Sequence, residues 1–443
     1  MKKTTTQRYR EALASLYASV DYEKVSPKRY SVKSYDLERF CRLLNRLGDP
    51  HLRIRSILVA GTKGKGSTAA MIASILQAAG CKTGLYTSPH LVSVRERIRV
   101  DGSPISRSDF CRAIGAVTRA REGAPAGDYQ TVFEALTAAA FLHFERKRVD
   151  IVVCEVGLGG RLDATNLLNP LISVITPVSL DHCDILGRTV RRIAQEKAGI
   201  IRDGCVTVVA GQPGPALAVI REECARKGSR IVEADDLFAG ERVRLTTGGI
   251  AFDATGRSGV FRDVSIPLLG RHQVCNALTA LSAVTKLRDT YNYHIPDEAV
   301  YAGFRAVSWP GRMEVVRRKP FVVLDGAHNV SSARALLLAL RETFAYRQLV
   351  LVLGISANKD IPGIVRELAP YASRIVLTKA EAVRGAEPSI LRKQCVKYLP
   401  SGVTVARDPR AALRAALALA GPYDLVCATG SLYLVGALKR RIS

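Results

Sequence analysis

Ser56-Ile-Leu-Val-Ala-Gly-Thr-Lys-Gly-Lys-Gly-Ser67, continued by the run Thr68 to Gly80, decides the fold. Ile57 to Ala60 is a short apolar run, as expected of a strand buried in a parallel sheet. Gly61, Gly64 and Gly66 follow, interleaved with Thr62, Lys63 and Lys65. From Ser67 a helical periodicity sets in, with Met71, Ile72, Ile75, Leu76 and Ala79 on one face, and Gly80 stops it. A strand, a glycine-rich loop and a helix in this order aim backbone N–H groups and a helix N-terminus at an anion. Lysine adds charge for terminal phosphates, and Ser67 or Thr68 can offer a hydroxyl to Mg²⁺. The strict P-loop pattern is not met: Val59 holds the first glycine's place and Gly66 separates Lys65 from Ser67. The bland alternative is a glycine turn between core elements, but two lysines among three glycines argue for phosphate.

Around this stretch the composition sets limits. A chain of 443 residues, 47% hydrophobic, is globular and long for one domain. No apolar run approaches a membrane span, so no membrane partner is expected. Met1-Lys-Lys-Thr-Thr-Thr has no apolar segment after it, and ten cysteines are scattered without a Cys-x-x-Cys pair. Both features suggest a cytoplasmic protein with reduced thiols. The net charge is +25, and Trp309 to Ser443 alone carries 21 Lys and Arg against 9 Asp and Glu. Polyanionic substrates suit such a surface. Without basic runs or interleaved aromatics, nucleic acid is not an expected partner.

Outward from the loop, strands and helices alternate. Lys82 to Tyr86 reads as a strand, followed by Thr87-Ser-Pro-His-Leu91; Arg95 to Val100 alternates charged and apolar residues like a strand. Thr131 to Glu145 reads as a helix, Asp150 to Glu155 as a buried strand, and Thr189 to Ile201 as a helix. Short glycine-punctuated strands follow between Glu233 and Pro267, then a helix from Asn276 to Leu287. Trp309-Pro-Gly-Arg312 is a break. A second alternating series starts at Phe321 to Leu324 and ends with Leu425 to Ala428 before a last helix. The fold expected is α/β: an N-terminal P-loop ATPase domain over 1–308, its parallel sheet flanked by helices, and a smaller Rossmann-like α/β domain over 309–443. Ligands in such sheets gather beyond the carboxyl ends of the strands. The Gly61 loop, Ser88, Glu155 and His182 all fall there, and the last three offer ligands that Mg²⁺ accepts beside phosphates. The counter-reading is a polar strand tip and a surface histidine.

Gly-Thr-Lys-Gly-Lys-Gly-Ser, Thr-Ser-Pro-His-Leu, Glu-Val-Gly-Leu-Gly-Gly-Arg-Leu-Asp-Ala-Thr-Asn, Asp-His, Glu-Lys-Ala-Gly-Ile, Pro-Gly-Arg and Asp-Gly-Ala-His-Asn occur in that order. The chain thereby resembles the folylpolyglutamate synthase/dihydrofolate synthase family of the Mur ligase superfamily, over nearly its whole length. The resemblance implies an ATP-dependent amide ligase that joins L-glutamate to a folate or dihydropteroate carboxylate through an acyl phosphate, releasing ADP and phosphate. It implies that Gly61, Thr62, Lys63, Gly64, Lys65, Gly66 and Ser67 hold ATP, with Asn276, Arg312 and Asp325. Ser88, Glu155, His182 and a carbamylated Lys197 would serve two Mg²⁺ sites, with a monovalent cation as a further candidate. Lys65, Lys197, Asp325 and His328 would be catalytic. Thr131, Val132, Phe133, Glu134, Leu162, Asp163 and Ala164 would line the pterin pocket. Lys63 departs from the asparagine common in the superfamily loop. A monomer is expected. A cell-wall precursor ligase is the alternative, but only 60 residues precede Gly61, too few for the extra nucleotide-sugar domain of that branch. The charge alone would also allow a non-enzymatic ATP-binding protein with nucleic-acid affinity.

Overall fold

The computed structural model describes residues 4–21, 35–122, 131–381 and 383–440. Three sheets organise them. The first contains β1 (Ser56–Ala60), β2 (Thr83–Tyr86), β3 (Ile98–Val100), β4 (Ser103–Pro104), β5 (Ile151–Glu155), β6 (Ile172–Ile175), β7 (Val206–Val209) and β8 (Arg230–Glu233). Its order is β4-β3-β2-β5-β1-β6-β7-β8, with β3 antiparallel to both β2 and β4 and all other pairs parallel. Central β1 is buried along its whole length. Its alternate residues serve opposite faces: Ile57 and Val59 pack into one apolar cluster, Leu58 and Ala60 into the other. The chain leaves β1 for β2 on one side, and β6 lies on the other, which places the end of β1 at a topological switch point.

The helix after the loop spans Lys65–Ala78 and begins two residues earlier than its apolar pattern suggests. Gly64 adopts a left-handed conformation, φ 82°, and caps it. The helix is buried nearly all round because the helices His272–Tyr291 and Asp297–Ala306 cover its outer side. The segment expected as a strand from Arg95 is instead a 3₁₀ turn over Val94–Arg97, and only Ile98–Val100 is extended. The Ser93 hydroxyl accepts from the Arg95 amide, and Glu96 accepts from the amides of Leu91, Val92 and Ser93, so local capping overrides the alternation.

The second sheet is antiparallel: β9 (Ala239–Thr246), β10 (Gly249–Gly256) and β11 (Gly259–Ile266). The third contains β12 (Glu314–Arg318), β13 (Phe321–Leu324), β14 (Leu349–Leu353), β15 (Arg374–Leu377), β16 (Val403–Val405) and β17 (Leu425–Thr429). Its order is β12-β13-β17-β14-β15-β16, parallel except for the β12–β13 hairpin. This α/β body carries its own two apolar clusters, one on each face. Among the described residues no helix is long and apolar enough to cross a membrane.

Candidate active site

The site lies where the carboxyl ends of the first and third sheets face each other. A cavity of about 250 Å³ is lined by Gly66, Ser88 and Glu155 from the first body and by Trp309, Arg312 and Leu432 from the segments around the second. The loop is tightly fitted. A β-carbon on Gly61 would stand 1.8 Å from Thr176 Oγ1, one on Gly64 2.2 Å from Asn276 Oδ1, and one on Gly66 2.5 Å from the Trp309 ring. Only glycine lets the backbone approach these neighbours.

Not every loop amide is free for a ligand. Those of Thr62 and Lys63 both donate to the Pro177 carbonyl, at 3.0 and 3.3 Å. The first intrahelical bond runs from the Thr68 amide to the Gly64 carbonyl, so the amides of Lys65, Gly66 and Ser67 have no carbonyl partner in their helix. These three form the anion-binding end. The Lys63 ammonium reaches Ser331 in the other body.

Glu155 terminates β5, is buried, and accepts the Ser88 amide at 3.1 Å. Burial raises its pKa, while Lys65, the Ser88 amide and Arg312 pull it down. A buried carboxylate facing several cations fits a divalent cation. The buried hydroxyls of Thr68 and Ser179 have no hydrogen-bond partner, which adds hard oxygen donors near the loop. Among the described residues no three His, Cys, Asp or Glu side chains converge as metal ligands. His182 stands beside Asp181, its Nε2 3.9 Å away, and burial, with Lys359, Lys65 and Lys197 adding to it, lowers its pKa to about 4. Donors of this kind suit Mg²⁺, which keeps waters and phosphate oxygens in its shell.

Lys197 is buried, and its ammonium donates to the Gly61 carbonyl at 2.8 Å. Burial, reinforced by Lys65, lowers its pKa to about 7. It is not the solvated lysine that sequence alone would favour, and Glu196 is paired with Arg161 at 2.9 Å instead. The glycine-rich loop holds this helix close: a β-carbon on Gly160 would stand 2.6 Å from the Glu196 carbonyl.

Asp325 directly follows β13 in the second body. Its oxygens accept the amides of Met313, at 2.9 Å, and Ala327, at 2.8 Å. Burial raises its pKa against the pull of Arg312. The carboxylate therefore fixes the segment that carries Arg312. His328 is fastened through Nδ1 to the Gly326 carbonyl at 2.8 Å, and burial lowers its pKa to about 4. Asn276 donates to Gln273 at 2.9 Å and packs on Gly64.

The residues expected to line a pterin pocket divide. Thr131 and Glu134 form a reciprocal capping box on the helix Val132–Lys147, and Glu134 also receives Arg39 at 2.7 Å in a buried ion pair. Asp163 accepts from Thr165 and, at 2.9 Å, from the Leu158 amide. Their polar atoms hydrogen-bond within the fold. Val132 and Ala164 are buried, whereas Phe133, over Gly157, and Leu162 keep accessible surface.

Sequence reasoning passed over Asp181 and Lys359. Asp181 accepts from Asn329 Nδ2 at 3.2 Å, across 148 positions of chain. Burial would raise its pKa, but His182, Lys359 and His328 bring it below the usual carboxylate value. Burial lowers the Lys359 pKa, with Asp181 opposing. Lys359 follows β14 in the segment beyond its carboxyl end, so the strand-end rule was the available signal.

A glycine loop, a buried carboxylate and a basic second body facing one cleft define a Mur-type ligase. Residues 59–284 match the Mur ligase middle domain, and residues 311–432 match the Mur ligase glutamate ligase domain. The chain belongs to the folylpolyglutamate synthase/dihydrofolate synthase family and is an ATP-dependent ligase. It is 35% identical to the dihydrofolate synthase/folylpolyglutamate synthase of Bacillus subtilis, over 92% of this chain and 94% of that one. It is 40% identical to a probable bifunctional folylpolyglutamate synthase/dihydropteroate synthase of Haloferax volcanii, spanning 93% of this chain and 49% of that protein. The Mycobacterium tuberculosis folylpolyglutamate synthase complexed with ADP superposes with a TM-score of 0.90 at 33% identity, over 99% of both chains.

Proposed function

We propose that this chain joins L-glutamate to the carboxylate of a dihydropteroate or folate, using ATP to form an acyl phosphate that the amine of glutamate then attacks. The observation that carries this reading is the single cavity shared by Gly66, Glu155, Ser88 and Arg312. A carboxylate must approach a γ-phosphate against like charge, and Lys65 and Arg312 supply an opposing field there. The amides of Lys65, Gly66 and Ser67 hold the phosphates. Mg²⁺, held by Glu155 and Ser88, would supply Lewis-acid charge stabilisation when bound. Asp325 keeps Arg312 in place. Trp309 and Leu432 narrow the cleft and keep water from the intermediate. Relatives of this fold include a folylpolyglutamate synthase in complex with AMPPCP and folate, which supports a pterin acceptor.

Several finer assignments belong to the same proposal. The catalytic bodies divide at 308/309. Lys197 carries a carbamate, for which its burial and its pKa near 7 are the support. A second Mg²⁺ and a monovalent cation complete the site, and the enzyme works as a cytoplasmic monomer without nucleic acid. The experiment that tests the reaction is phosphate release from ATP and Mg²⁺ with dihydropteroate or tetrahydrofolate, each with and without L-glutamate. Release that needs all components supports the ligase, and equal turnover with ATP alone rejects it.

A further inference from the structure

Two adjacent loops of the first body grip the same helix end of the second. The phosphate loop is stitched to the segment after β6, since the Thr62 hydroxyl donates to the Ser179 carbonyl and accepts its amide, each at 3.1 Å. From this pair of loops two side-chain bonds cross the cleft. Lys63 donates to the Ser331 hydroxyl, and Asp181 accepts from Asn329 at 3.2 Å. Asn329 caps the helix Val330–Thr343, accepting the Ser332 amide at 2.9 Å.

These two bonds differ electrically. A carboxylate at a helix N-terminus is favourable, and an ammonium there is not. Lys63 is thus a cation at a positive helix end, bound to an exposed serine hydroxyl, with the Asp181 carboxylate near enough to favour its charge. A nucleotide phosphate on Gly64 to Ser67 would be a charged and therefore stronger acceptor for the same ammonium. Elsewhere the two bodies are joined more firmly. A β-carbon on Gly436 would stand 2.0 Å from the Leu91 carbonyl, and Arg440 donates to the Val92 carbonyl at 3.1 Å.

We propose that Lys63 is an interdomain positioning residue that exchanges partners. Without nucleotide it ties the phosphate loop to Ser331; with nucleotide it turns to the phosphates and releases the first turn of the helix Val330–Thr343, whose far end Arg271 still holds through Glu342 at 3.1 Å. The inference rests on reading the Gly61–Ser67 loop as the nucleotide site.

The test uses the full-length enzyme and AMPPCP, with wild type, Ser331→Ala and Lys63→Asn compared by calorimetry and by hydrogen exchange over residues 329–335. In Ser331→Ala the lysine no longer has to leave the serine hydroxyl, so AMPPCP should bind about two- to tenfold tighter, the net size of one ordinary hydrogen bond. Wild-type exchange in 329–335 should accelerate on adding AMPPCP. In both variants it should already be fast and respond little, and Lys63→Asn should bind AMPPCP more weakly. Unchanged affinity and unchanged nucleotide response in Ser331→Ala would overturn the exchange while leaving the ligase reading intact, as would slow, wild-type-like exchange in Lys63→Asn. A wild-type enzyme that binds no AMPPCP would overturn both.

Discussion

Lys197 shows what burial does to one side chain. Burial, with Lys65 nearby, disfavours the charged form although the ammonium donates to the Gly61 carbonyl, and the pKa falls to about 7. Above that pH the amine is free to take up carbon dioxide; below it the amine keeps its proton. Bicarbonate should therefore stimulate turnover at alkaline pH, and the stimulation should fade as the pH drops through 7. Lys197→Ala should lose most activity and regain part of it with acetate. A fully active variant would remove the carbamate from the mechanism. Lys65 makes a simpler case. Lys65→Ala should lower kcat by about 10²–10³, the usual cost of losing one preorganised charge stabiliser, with the melting temperature unchanged. Phosphate release and a thermal melt on the same sample check both halves.

At the scale of elements, the capping box on the helix Val132–Lys147 separates structural from substrate roles. Glu134→Ala leaves Arg39, 3% exposed, without its carboxylate, and should cost about 3–5 kcal/mol in urea unfolding. Thr131→Ala should cost about 1 kcal/mol as a lost cap. If these residues touched the pterin instead, the substrate KM would rise at constant stability. Gly61→Ala should destabilise by at least about 1–3 kcal/mol, because φ 146° and the Thr176 hydroxyl both oppose a side chain. The sequence made the buried strands readable, since β1, β5, β13 and β14 are short apolar runs with glycine or carboxylate just beyond them. It also displayed Thr-x-x-Glu at 131–134, a capping signature that the helix uses. The 3₁₀ turn at Val94–Arg97 was hidden, because three amides gathered by Glu96 outweigh a strand-like alternation.

Across the whole molecule the site depends on contacts no local pattern encodes. Asp181 and Asn329 are 148 positions apart, and Glu155 and Arg312 share a cavity although they belong to different bodies. The ends of the strands told which residues could meet, but the relative placement of two sheets decided which did. Within the second body, Asp325 holds the segment that carries Arg312 through the Met313 and Ala327 amides. Asp325→Ala should leave two buried amides unpaired, at about 1–3 kcal/mol each. It should lower the melting temperature together with phosphate release, and normal kinetics would mean that Arg312 holds its position unaided.

The Trp309 ring rests on Gly66, and it is the only tryptophan in the chain. The protein thus carries one indole chromophore, and that chromophore touches the phosphate loop at the seam between the two bodies. Its emission reports from a single place, so a nucleotide arriving at Gly66 should shift the colour or intensity of unlabelled enzyme. Binding, release and the movement between turnovers can then be timed optically in the native chain, without dyes on any of its ten cysteines.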